Sequence, residues 1–98
     1  MSTRERLEPL LQRELSSLIP TLKDPRIPLV VTVETVSLSP DGRLARVSVS
    51  TLDDEDSEAM LEALNRASGY LQRELAADLG LKFTPKLRFQ TSVLGAGL

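Results

Sequence analysis

From Leu61 to Leu79 the chain carries a helical stripe, with Leu61, Leu64, Ser68, Leu71 and Leu75 at spacings of three and four, and the triplet Ala67-Ser68-Gly69 interrupts it. One face of such a helix stays apolar or small throughout, which favours its continuation. Glycine argues against, because inside a helix it costs roughly 1 kcal/mol relative to alanine and opens backbone angles denied to other residues. The segment is expected to fold as two helices with a kink between them. A single helix that keeps a glycine for close packing is the alternative. If Gly69 supplies the backbone freedom, Gly69→Val should destabilise the domain beyond the difference in helix propensity.

The rest of the chain narrows what this helical segment packs against. Leu7, Leu10, Leu11, Leu15, Leu18 and Ile19 recur on one face of a first helix. Proline is harmless in a first turn and disruptive further in, so Pro9 favours a start near Arg6 or Glu8 over one at Thr3, and Pro20 marks the end. Two prolines make Lys23-Asp24-Pro25-Arg26-Ile27-Pro28 a stiff connector. Leu29, Val31 and Val33 then alternate in one phase and Val36 and Leu38 in the other, which predicts a strand with a bulge near Glu34 or Thr35. Ser39-Pro40-Asp41-Gly42 has turn chemistry, and Ala45, Val47 and Val49 alternate with polar residues as a hairpin partner. After the helix pair, Gly80 is a C-terminal cap and Leu87, Phe89 and Val93 read as a last strand opened by Pro85. The expected architecture is α+β: one three-stranded sheet with helices on one face, forming a single domain over 1–98 with its core at about 6–93.

Composition bounds the chemistry. The chain has 98 residues, no cysteine and no histidine, so thiol nucleophiles, imidazole bases and the usual zinc ligands are missing. No glycine-rich phosphate loop is present. The expectation is a protein that is not an enzyme and needs no cofactor or metal. The opening residues contain no apolar segment, and the run Leu29 to Val33 is too short to span a bilayer, so a soluble, cytoplasmic chain is expected. The net charge of −2 hides an asymmetry: six of the fourteen acids lie between Asp53 and Glu62, leaving eight acids against twelve bases elsewhere. Acids at a helix start complement its dipole, and Asp54 or Asp56 has the chemistry of a cap. Arg4, Arg6, Lys23, Arg26, Arg43, Arg66 and Arg73 are the candidate phosphate contacts, with Arg26 either meeting RNA or held by Asp24 as an ion pair. With only three aromatics (Tyr70, Phe83, Phe89), shape and charge are the expected basis of recognition, not base stacking.

Helix, hairpin, kinked helix pair and final strand together resemble a K homology domain of the bacterial topological type, here termed type II. Nucleic-acid-binding members place a glycine-x-x-glycine loop where this chain has Ala67-Ser68-Gly69. That replacement resembles the ribosome-binding factor A family, whose K homology-like fold carries an alanine-x-glycine kink. Further matches are Arg13-Glu14-Leu15-Ser16, Lys23-Asp24-Pro25-Arg26, Val36-Ser37-Leu38-Ser39-Pro40-Asp41, the run Leu64 to Leu75 and Pro85-Lys86-Leu87-Arg88-Phe89. Their order and spacing cover roughly residues 6 to 90. Pro9 in the first helix departs from the family pattern.

The resemblance implies a monomeric bacterial factor that binds free, immature small (30S) ribosomal subunits and 16S rRNA, and that supports late maturation and processing of the 16S 5′ end, most visibly in the cold. It implies contacts near the 5′-terminal helix and the decoding region, and a functional link to assembly GTPases. Two other readings stand beside it. One is a protein-interaction adapter whose acidic run binds a basic ribosomal protein; the other is a general single-stranded RNA-binding module of the same fold.

Overall fold

The computed structural model describes residues 3–52 and 57–92. Helix α1 spans Thr3–Leu18 and continues as a 3-10 turn, Ile19–Thr21. Strands β1 (Val31–Leu38) and β2 (Leu44–Thr51) follow, then helices α2 (Ser57–Arg66) and α3 (Ser68–Leu79), then β3 (Lys86–Thr91). β2 is the middle strand, antiparallel to β1 and parallel to β3, as a two-helix crossover allows. All three helices pack on one face. Val33, Val36 and Leu38 from β1, Ala45, Val47 and Val49 from β2, and Leu87 and Phe89 from β3 meet Leu11, Leu15, Ile19, Met60, Leu64, Leu71 and Leu75 in one core. Each fully buried leucine there contributes about 1.5–3 kcal/mol. The α+β order expected from the sequence is the one found.

The starts of α1 and β1 differ from the expectation. α1 begins at Thr3, not near Arg6 or Glu8, so Pro9 lies inside it. Proline there has no N–H for the carbonyl of Glu5, a loss worth up to about 3 kcal/mol in a helix interior. Pro9 faces solvent, and the turn before it is anchored: Leu7 packs against the core, and the Glu8 carboxylate accepts the Leu38 N–H at 2.7 Å. The first strand starts at Val31, where Thr51 first offers a partner; Leu29 is 99% exposed and belongs to the connector. The bulge falls at Glu34, between the paired residues Val33 and Thr35. Val93 and the acids Asp54 and Asp56 lie outside the described residues.

The turns form for the chemical reasons their residues suggest. Ser39 Oγ donates to Asp41 Oδ1 at 2.7 Å, the same carboxylate oxygen accepts Arg43 N–H at 3.0 Å, and Gly42 takes φ +74°. Gly80 ends α3 at φ +66°, with Leu81 N–H returning to the Ala76 carbonyl at 3.1 Å, the bond of a Schellman cap. Sheet edges are closed by side chains. Gln12 Nε2 donates to the carbonyls of Val33 and Glu34 at 3.1 and 3.3 Å, where the bulge opens β1. On the other edge, Asn65 Oδ1 accepts Phe89 N–H at 2.8 Å and its Nδ2 donates to the Phe89 carbonyl at 3.4 Å. Gln72 Nε2 donates to Pro85 O at 3.0 Å.

The helix break needs one residue, and it is not the glycine. Ala67 sits at φ −84°, ψ 0°, and its N–H is shared by the carbonyls of Ala63 and Leu64 at 3.1 Å each, while its own carbonyl accepts Leu71 N–H at 3.0 Å. That bridge-region conformation is open to an ordinary L residue. Gly69 lies within α3 without a positive φ, and a Cβ there would meet only Arg73 Nη1, at 3.8 Å. The kink expected from the sequence is present, but Gly69 does not supply its freedom.

Two outcomes follow for stability. Gly69→Ala should leave the fold intact and raise stability by up to about 1 kcal/mol in chemical denaturation followed by circular dichroism, the reverse of a kink that depends on glycine. Asn65→Ala should cost about 1–2 kcal/mol despite alanine's better helix propensity, because two backbone groups of β3 lose their partner. Faster hydrogen exchange at the Phe89 amide would locate that loss.

Candidate RNA-binding groove

The connector between α1 and β1 is built around one carboxylate. Asp24 Oδ1 accepts the Arg26 N–H at 2.9 Å, and its backbone carbonyl accepts Ile27 N–H at 3.0 Å, so the Asp-Pro-Arg sequence closes on itself as a turn. The Arg26 guanidinium then returns to the same carboxylate with both prongs, Nε to Oδ1 at 3.1 Å and Nη2 to Oδ2 at 2.8 Å. Its Nη1 lies 3.8 Å from Glu62 Oε1, and Glu62 also pairs with Arg66 at 3.2 Å, one turn along α2. Glu62, the last acid of the acidic run, thus links the connector to the helix pair. These bonds, with the Arg26 side chain first, pull the Asp24 carboxyl down to about 2.

Between the connector and the helix break lies a groove of about 460 Å³ lined by Leu22, Lys23, Asp24, Pro25, Ile27, Ala63, Arg66 and Ala67. Its apolar lining is supplied by small or half-buried residues, Ala63 and Ala67 from the helix pair and Leu22 and Ile27 from the connector. Lys23 and Arg66 supply exposed cations. Ala67, the residue between α2 and α3, lines the groove and puts no side-chain cap on α3. Arg73 reaches back along α3 toward Gly69, outside the residues that line the groove. Nothing in this arrangement pairs a nucleophile with a base. It can hold an anionic backbone against small side chains by charge and fit.

The seven candidate cations do not form one surface. Lys23 and Arg66 line the groove, Arg26 is joined to it through Asp24 and Glu62, and Arg73 lies over Gly69 outside the lining. Arg26 is occupied by Asp24 and Glu62, so its role within the chain is to fix the connector. Arg4 and Arg6 lie at the far end of α1, beyond the Glu8 contact with Leu38, and Arg43 follows the hairpin turn. Those three are exposed but remote from the groove. Phe89 is buried, Tyr70 is 40% exposed and Phe83 is 89% exposed, and neither exposed ring lines the groove. Sequence reasoning passed over Arg46, Lys86 and Arg88, which stand together on the outer face of the sheet. Their alternation with apolar residues marks them as outward-facing, but their adjacency appears only once β2 and β3 are in register.

Asp24 gives the connector a pH dependence with a definite sign. A carboxyl held at about 2 when folded, against 3.8 when free, contributes stability above pH 4 that is lost as the pH falls toward 2. Asp24→Asn should therefore lower the melting temperature at pH 7 while flattening its decline between pH 4 and pH 2. An unchanged acid profile in the variant would show that the turn is held by other contacts.

Residues 3–93 match the family model described as ribosome-binding factor A. A protein of that name from Nitrosococcus oceani is 44% identical over 90 residues, covering 90% of this chain and 70% of that protein. Another, from Acetivibrio thermocellus, is 35% identical over 92 residues, covering 92% and 75%. The crystal structure of ribosome-binding factor A from Thermus thermophilus superposes with a TM-score of 0.79 at 37% identity, over 92% of this chain and 97% of that one. A homology model of the Thermus thermophilus factor, fitted into a cryo-EM map of its complex with the 30S subunit, aligns with a TM-score of 0.72 at 36% identity, over 85% of this chain and 88% of that one. With the same fold and a family match along almost its whole length, the chain belongs to the ribosome-binding factor A family.

Proposed function

We propose that this chain binds the free, unfinished small ribosomal subunit late in its assembly, contacts 16S rRNA through the groove at the helix break, and supports maturation of the 16S 5′ end without cutting RNA itself. The observation that carries the reading is the cationic groove: Lys23 and Arg66 flank small side chains at the break between α2 and α3, on the fold of a factor fitted into a 30S complex. Charge and shape suffice for folded RNA, which is recognised through its backbone and 2′-hydroxyls. The single exposed rings Tyr70 and Phe83 offer no stacking platform for a run of splayed bases. The rRNA elements proposed are the 5′-terminal helix and the decoding region, with assembly GTPases acting in the same phase. Binding by fixed shape selects one state of a large target. The chain acts as a cytoplasmic monomer in this reading.

A tagged copy in cell lysate should co-migrate with free small subunits and be depleted from whole ribosomes and polysomes. Lys23→Ala combined with Arg66→Ala should weaken subunit binding several-fold, with a melting temperature nearly unchanged, because the Arg66–Glu62 pair is a surface pair. Arg26 is left intact in this variant because its loss would loosen the connector. Cells lacking the protein should accumulate precursor 16S rRNA in the cold. Equal distribution onto translating ribosomes, or normal 16S processing in such cells, would overturn the assembly reading.

A further inference from the structure

The face of the sheet opposite the helices carries a second cationic cluster. Arg46 and Arg88 are direct neighbours in the parallel register of β2 and β3, and Lys86 stands two residues from Arg88 on the same face. All three are exposed, and among the described residues none has a carboxylate within ion-pair distance. Strand geometry puts such neighbours about 5 Å apart across the strands and about 7 Å apart along β3. Like charges placed directly opposite one another are destabilising. Around them the face is polar: Ser37 lies beside Arg46, Thr35 beside Ser48, and Gln90 donates to Ser48 Oγ at 3.2 Å. Among the described residues the acid on this face is Glu34, which lies at the bulge and accepts the Ser50 hydroxyl at 2.6 Å.

We propose that this sheet face is a second RNA-binding surface, one that takes the phosphate backbone and 2′-hydroxyls of a helical segment. The inference rests on the small-subunit RNA reading above. Charge complementarity selects an anion, and the composition of the face selects RNA over an acidic protein. Beside the half-buried Leu44 and the Glu34 carboxylate at the bulge it presents cations, hydroxyls and an amide, whereas a protein partner of stable affinity needs an apolar centre to bury. None of the strand residues on this face is aromatic, so they offer single-stranded bases no platform, and a polar sheet surface suits the wide, shallow minor groove of A-form RNA. The helices and their groove occupy the other side of the sheet. The chain then bridges two RNA segments, one on each side.

The test uses the full chain and purified free small subunits, titrated at several potassium chloride concentrations. Arg46→Gln with Arg88→Gln should bind at least about fivefold more weakly, and the slope of log affinity against log salt should shrink by about 1.5–2, as expected for two lost phosphate contacts. Its melting temperature should stay level or rise, because the like-charge pair is gone. Affinity and salt slope equal to the unaltered chain would overturn this proposal; loss confined to Lys23→Ala with Arg66→Ala would then leave the groove reading standing. Loss confined to the sheet variant would support this proposal and remove the groove from the binding surface. Because the sequence has no cysteine, an aryl azide on Ser37→Cys labels one site, and its photocrosslinks should fall on 16S rRNA. Crosslinks only to ribosomal protein would identify a protein occupant and overturn the RNA assignment.

Discussion

A three-stranded sheet has as many exposed backbone edges as a larger one and far less interior to hold them. Here the helices close those edges with side chains. Asn65 treats Phe89 as a neighbouring strand would, accepting its N–H and donating to its carbonyl, while Gln12 and Glu8 engage β1 at the bulge and at Leu38. The contacts do two things at once. They satisfy backbone groups that would otherwise invite pairing with another chain, and they fix the position of each helix along the sheet. With α2 pinned through Asn65 to β3, the break at Ala67 falls beside the connector, and the groove exists because of that placement.

The groove separates charges that hold from charges that are offered. Asp24, Arg26 and Glu62 bond to one another and shape the connector, so adding their formal charges to a binding surface counts the scaffold as the site. Lys23 projects without an ion-pair partner among the described residues, and Arg66 shares an acid in a solvent-exposed pair that water and salt weaken. A phosphate approaching this rim competes with a weak internal contact at Arg66 and a strong one at Arg26. The hierarchy follows from bidentate geometry as much as from burial.

Much of this arrangement was legible in the residues. Alternation identified all three strands and the hairpin, the shift of phase after Val33 located the bulge, and Gly80 and Gly42 took the left-handed conformations their neighbours required. The kink was legible through the wrong residue. Glycine's permissiveness drew attention to position 69, whereas the chain turned at Ala67 with angles that any small residue accepts. Pro9 misled for a related reason: a local rule predicted a later start of the helix, and tertiary contacts of Leu7 and Glu8 overrode it. For the site, Lys23-Asp24-Pro25-Arg26 announced a turn, but only the folded chain reveals that Arg26 faces Asp24 and Glu62. Adjacency across strands is invisible in a linear sequence, and Arg46 beside Arg88 was therefore missed.

The parallel placement of β3 also sets the order in which the chain can become a domain. Gln90 meets Ser48 across 42 residues of sequence, and between them lie both helices of the crossover. The hairpin of β1 and β2 closes over a short turn, but the partner on the other side of β2 arrives only after α2 and α3 have formed and folded back. Non-local pairing of this kind meets its loop-closure entropy before any contact repays it, which makes it the slow step in topologies that contain it. Until then β2 has one open edge, and Val47 and Val49 lack the strand that completes their layer. A protein built this way has its aggregation-prone interval during synthesis and early folding, and the docking of a single six-residue strand ends it.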